Sequence, residues 1–258
     1  ISYNKATGEI YGGGGICTDG TTVTIEGGNV THNTAKYGGG IYCYKDDVSI
    51  IGVNIENNTA TAYGGVVFSS NTASAITYIG SSEGDITESK IFFNNNQAKG
   101  GGALYMLYSS ATVIYGNAVF DGNSAEVSFG DSSTGLNGGA ICTTGELIIY
   151  YAEFKNNSAR YYGGAVHASY TSEDKVPRVT SIKSAKFDSN TAEGGGAIMV
   201  SNTSVSLDNV IATGNIATTK GGGFAYLSNS ELTIKGGSIS GSVCNDASGG
   251  AFYMSGSE

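Results

Sequence analysis

Carboxylates, imidazoles and thiols are the groups through which this chain would do chemistry, and their spacing assembles none of the usual constellations. A polysaccharide-cleaving site on an extended scaffold needs several carboxylates on one face, with basic or imidazole partners within hydrogen-bond reach or one bridging water. The acids are instead scattered, as Asp46-Asp47, Glu83, Asp85, Glu88, Asp121, Asp131, Glu173-Asp174, Asp188 and Asp208, mostly at turns. His32 and His167 stand far apart, His167 reads as an exposed strand residue, and arginine occurs only at 160 and 178. No catalytic residue is assigned. Asp46-Asp47 and Glu83-x-Asp85 read as solvated turn charges rather than a calcium site, because calcium solenoids carry Asp in every turn. Cys17, Cys43, Cys142 and Cys244 lack the paired spacing of a zinc site. No metal and no cofactor is assigned.

The composition says what kind of framework would position any site. The 258 residues carry a net charge of -9, 41 glycines, one proline and no tryptophan. Charged residues make up 14% of the chain, against about 25% in an ordinary soluble domain. Low charge with abundant Tyr, Ile, Val and Phe excludes the disordered signature, and glycines without a three-residue period exclude collagen. A pI near 4.7 leaves no basic stripe for phosphates, so nucleic acid is not expected as a partner. No apolar run reaches membrane-spanning length, so insertion of this segment in a membrane is not expected either. The start at Ile1, with neither Met nor a leader-like pattern, reads as a processed product or an excised piece.

A repeat runs from end to end. The clearest copies are Phe93-Asn-Asn-Asn96-Gln-Ala98 with Gly101-Gly-Ala-Leu104, Phe154-Lys-Asn-Asn157-Ser-Ala159 with Gly163-Gly-Ala-Val166, and Phe187-Asp-Ser-Asn190-Thr-Ala192 with Gly195-Gly-Ala-Ile198. The recurrent asparagines are Asn4, Asn33, Asn58, Asn96, Asn123, Asn157, Asn190, Asn215 and Asn245. Between these landmarks short alternating stretches such as Val48-Ser-Ile50 and Leu147-Ile-Ile149 are β-branched, which favours strands over a helix in each unit. The chain therefore reads as all-β: a single-stranded parallel β-helix of about nine coils, about three strands per coil, without helices of note. At about 4.8 Å per coil the rod is about 43 Å long.

Aligned columns should each keep one chemistry. The residue after the small position is Ile16, Ile41, Val67, Leu104, Ile141, Val166, Ile198, Phe224 and Phe252, apolar throughout. Three residues before each asparagine stand Ile1, Val30, Ile55, Phe93, Phe120, Phe154, Phe187, Ala212 and Ser242, a column that fades at the end. Both should point inward. The glycine pairs suit a turn with positive φ or a close backbone approach. The asparagines suit a left-handed bend, and as a stacked ladder their amides can bond one another.

These units resemble the repeats of the chlamydial polymorphic membrane proteins and related adhesin-like surface proteins, whose signatures are Gly-Gly-Ala-Ile and Phe-x-x-Asn. The resemblance implies a right-handed β-helix, extracellular or displayed at the cell surface, often within a passenger segment used for attachment. Partners would then be a protein or glycan on a host or neighbouring cell. The chain departs from that picture in ending without a membrane barrel and in losing the Phe from its last two coils. Residues 1–258 read as one continuous domain uncapped at both ends: a fragment of a longer solenoid, or a filament subunit stacking end to end on copies of itself.

If the apolar column points in, its neighbours point out, and Tyr42, Tyr44, Phe68, Tyr105 and Leu107 form a candidate contact face. The alternative is that these side chains merely stack along the ladder. Asn29, Asn57, Asn156 and Asn202 head sequons for N-glycosylation, with Asn57 and Asn156 expected to face solvent. Cys17 and Cys43 lie in adjacent coils. A small register shift would make them a candidate disulfide, whereas strict column alignment sets them on opposite faces as thiols. Insertions near Gly80 to Lys90, Ala125 to Asn137 and Ser169 to Val179 are candidate recognition loops.

Overall fold

A computed structural model describes residues 1–9, 12–45, 47–70, 76–80, 90–107, 111–116, 118–126, 137–170 and 178–256. Asp46, Glu83, Asp85, Glu88, Asp131, Glu173, Asp174 and most of the three insertions lie outside them. The described chain is a stack of coils in which every inter-coil strand pair is parallel, a parallel β-helix. Most of the described coils carry four strands, where about three were expected. The first full coil runs Ile16–Asp19, Val23–Glu26, Asn29–Thr31 and Thr34–Tyr37, and these open faces 1 to 4. Face 1 has nine strands, and faces 2 and 3 have eight each. Face 4 is short, a two-stranded and a five-stranded sheet linked through bridges at Gln97, which is why the sequence pattern hid it.

Left-handed backbone makes the corners. At the corner before face 1 all nine glycines, from Gly13 to Gly249, have φ between 58° and 83°. The second glycine of each pair is kept for a different reason. Gly164 has ordinary φ, but a Cβ there would run into the carbonyl oxygen of Gly196 and stand 2.6 Å from Thr191 N. Successive coils touch backbone to backbone at this corner, and only a residue without a side chain fits.

The interior is built of ladders. On face 1 the register runs Ile16, Ile41, Val67, Leu104, Ile141, Val166 and Ile198 without a slip. On face 3 Phe93, Phe120, Phe154 and Phe187 stack at 4.5 to 4.9 Å, within 7° of parallel. In-register parallel strands place each ring over its equivalent, so four fully buried rings share one apolar column.

Two column assignments shift. Ala225, not Phe224, continues the face 1 column, and Phe224 occupies the small position between Ala197 and Ala251. The reason is volume: face 3 has Ala212 where the Phe ladder would continue, and Phe224 turns edge-on to Phe187 at 5.7 Å to fill that space. The outward residues of this coil are accordingly Tyr226 and Ser228, where Phe224 in the inward column would have turned Ala225 and Leu227 outward. In the last coil Ile239 is the partner of Ala212, so the face 3 column stays apolar and Ser242 does not belong to it.

Seven of the recurrent asparagines, from Asn33 to Asn215, are completely buried. From Asn4 to Asn190, the backbone N–H and the Nδ2 of each asparagine both donate to Oδ1 of the next, ending on Asn215, at 2.9 to 3.1 Å. From Asn33 onward Nδ2 also donates to a carbonyl of the preceding coil, as Asn157 does to Phe120 O at 2.9 Å. Two expectations are corrected. The left-handed bend belongs to the residue before the ladder, such as His32, Asn57, Asn95 and Asn156 with φ of 52° to 56°. Asn245 is not a rung: Ile216 pairs with Val243, so Ser242 takes the ladder position and Asn245 lies exposed three residues on.

Candidate functional site

The outward side of face 1 holds the column Cys17, Tyr42, Phe68, Tyr105, Cys142, His167, Met199, Tyr226 and Tyr253. The structure brings Tyr42, Tyr44, Phe68, Tyr105 and Leu107 into one cluster, but not as an open patch. Tyr42, Phe68 and Tyr105 are only 5 to 6% exposed, and Tyr44 and Leu107 are half-buried. Two effects close the expected contact face. The rings stack along the ladder, Tyr42 on Phe68 at 5.4 Å and Phe68 on Tyr105 at 5.8 Å. Tyr37 and Tyr63, at the corner from face 4, fold over them, with Tyr63 4.5 Å from Tyr105. The result is a second apolar cluster on the outside of the wall.

Farther along the rod is a group that the sequence did not single out. Lys220 Nζ lies 4.4 Å from the Tyr162 ring centroid and 5.1 Å from that of Tyr161, and pairs with Glu193 at 2.9 Å. Tyr162 meets Tyr226 edge-on, and Tyr226 packs on Tyr253. Gly194 and Gly221 leave room for the rings of Tyr162 and Tyr253, which a Cβ would approach to about 3 Å. Burial lowers the Lys220 pKa, yet Glu193 and Tyr162 outweigh it and the net shift is upward, so the ammonium stays charged. The Tyr161-Tyr162 doublet before Gly163-Gly164 was the available signal, but only the register shows that it meets residues one and two coils away.

His167, expected on the exposed side of a strand, is 5% exposed, and burial depresses its pKa to about 4. On face 3 Glu153 contacts Lys155 of its own strand at 2.8 Å and, across coils, Lys186 at 3.3 Å. The hydrogen bond from Lys155, with that from Lys186, holds the Glu153 carboxyl below its ordinary range. Among the described residues no three His, Cys, Asp or Glu side chains gather into a metal-binding group, and no helix is long and apolar enough to cross a membrane.

All four sequon asparagines are exposed. Asn57, Asn156 and Asn202 sit at left-handed corners, while Asn29 opens a face 3 strand. Asn156 Nδ2 donates to Asp121 at 2.9 Å, and Asn202 Nδ2 donates to Tyr170 O at 3.1 Å.

The candidate Cys17–Cys43 disulfide does not form. The partner of Cys17 is Tyr42 and that of Cys43 is Thr18, so Cys17 points out and Cys43 points into the core. A one-residue offset in a strand reverses the face. Burial also pushes the Cys142 thiol well up. With an aromatic disulfide reagent, Cys17 will react first in the native chain and the half-buried Cys244 more slowly. Cys43 and Cys142 will react only after denaturant is added. Fewer than four thiols in denaturant, or four fast ones in the native chain, would contradict this placement.

Neither the curated proteins nor the solved structures offer a match to this chain. A family model does, over residues 90–106 and 117–144. These segments contain strands Ile91–Asn94, Ala118–Asp121 and Ile141–Thr143 and all but the last residue of Leu104–Leu107, and with them rungs Asn96 and Asn123. The matching model is the Chlamydia polymorphic membrane protein (Chlamydia_PMP) repeat, and in these two segments the chain is similar to repeats of that type.

Proposed function

We propose that this chain is a non-enzymatic, adhesin-like scaffold displayed at a cell surface or outside the cell. Its partner is a protein or glycan on a host or neighbouring cell. The observation that carries this reading is the polymorphic membrane protein repeat match within a regular ladder. The architecture is compatible with it: a core of buried apolar columns and an unbroken asparagine ladder give a stiff support, while the outer sides and corners vary from coil to coil.

Fluorescently labelled chain should bind cultured epithelial cells saturably, be displaced by unlabelled chain, and lose binding when the cells are treated with protease or glycosidase. Absence of saturable binding by folded material would overturn the adhesin reading. Regular fibres in electron micrographs of the purified chain would replace it with a filament subunit. Fragments released from acidic or neutral polysaccharides would replace it with an enzyme.

A further inference from the structure

The outward column of face 1 changes chemistry at its middle, where Cys142, His167 and Met199 follow one another in register, each nine-tenths buried. Sulfur, imidazole and sulfur suggest a soft metal, but the hydrogen bonds argue otherwise. His167 Nδ1 lies 3.2 Å from the backbone N of Asn137, and a backbone N–H can only donate. The lone pair is therefore on Nδ1 and committed, and the proton of the neutral ring is on Nε2, where a metal would need a lone pair.

The same bond makes the site sensitive to protons. Asn137 ties three coils together: its carbonyl accepts from Gly101 N at 2.6 Å, its Nδ2 donates to Lys99 O at 3.2 Å, and its N–H donates to His167. Its Oδ1 is buried without a partner. We propose that His167 is an acid-sensitive latch, whose protonation turns Nδ1 from acceptor to donor, breaks the bond to Asn137, and loosens the Asn137–Gly138 corner from the wall.

Little around the ring would hold an imidazolium. Its own strand, Val166–Ser169, has no other titratable group. Cys142 lies in the adjacent strand on one side, its thiol kept neutral by burial, and Met199 lies on the other. Across the corner, Tyr162 presents its ring edge-on at 6.2 Å, and beyond it Lys220 is paired with Glu193. Burial alone sets the direction, lowering the pKa from 6.5 to about 4. A group whose folded-state pKa is depressed binds its proton first in the opened state. The contribution is thus whole above pH 6.5 and is lost as pH falls towards 4. Between pH 7 and about pH 4.5 the opening equilibrium shifts by about sixtyfold.

The test is amide hydrogen exchange of the full chain, corrected for intrinsic rates, at neutral pH and near pH 4.5. In the wild type, protection at the Asn137 amide should fall by about sixtyfold. In His167→Gln, whose side-chain oxygen accepts the same N–H but does not titrate, it should change by no more than about threefold. Unchanged wild-type protection, or a parallel fall in the Gln variant, overturns the proposal. Should that variant not fold, nuclear magnetic resonance of the wild-type ring decides: a midpoint near 4 supports the latch, and one at or above 6.5 refutes it.

Discussion

Gly164→Ala will cost more stability than any single core truncation in this protein, more than about 4 kcal/mol. The added Cβ meets backbone and not a flexible side chain: the Gly196 carbonyl of the next coil, and N and O of Thr191 at 2.6 and 2.7 Å. Neither can retreat without breaking the hydrogen bonds that stack the coils, from Gly164 N to Gly195 O and from Ala165 N to Ala197 O. Gly20→Ala is the control, because Gly20 has φ of 71° and nothing within 4 Å of its missing Cβ. Only backbone strain remains there, about 1 kcal/mol. Urea unfolding followed by far-ultraviolet circular dichroism reads both. Equal losses for the two variants would mean that left-handed backbone, not inter-coil contact, explains the glycine pairs.

Asn157→Ala should cost about 2 to 6 kcal/mol. The side chain accepts from both N and Nδ2 of Asn123 and donates to Phe120 O and Asn190 Oδ1, all in a fully buried setting. Truncation leaves the Asn123 N–H and one Nδ2 hydrogen of Asn123 without partners and takes a donor from the Phe120 carbonyl, and each buried orphan costs about 1 to 3 kcal/mol. Ser242, which stands at this position in the last coil, is only half-buried, and its Oγ has no protein partner. Ser242→Asn should therefore extend the ladder and stabilise the chain by about 1 kcal/mol. If Asn157→Ala unfolded at the wild-type urea midpoint, the ladder would be a by-product of the coil rather than one of its supports.

Much of this architecture was legible in the chain because a solenoid repeats its local chemistry. Ile141, Val166 and Ile198 could be aligned from their glycine pairs, and the Phe ladder from its Phe-x-x-Asn spacing. The legibility failed where one coil compensated for another. Phe224 left the apolar column for the small one because Ala212, in a different column, had vacated volume. Asn245 looked like a rung, but pairing of Ile216 with Val243 had already fixed the register three residues earlier.

The candidate site was less legible than the core. Alternation along a strand places Tyr42, Phe68 and Tyr105 outside the wall, but it cannot tell outside from exposed. That depended on Tyr37 and Tyr63 folding over the corner, a contact between side chains on different faces of the coil. His167 was misplaced for the same reason: its neighbours Asn137 and Tyr162 stand just before the corner glycines Gly138 and Gly163, a position whose residue type changes from coil to coil.

The sequence by itself determined the coil, its inward columns and its glycine and asparagine corners, because each depends on residue type at a fixed position within one repeat. Only the tertiary structure decided the fourth face, the closed aromatic cluster, the separated thiols of Cys17 and Cys43, and the buried imidazole. These depend on register and on volume shared between coils, and neither quantity is a property of any one segment of chain.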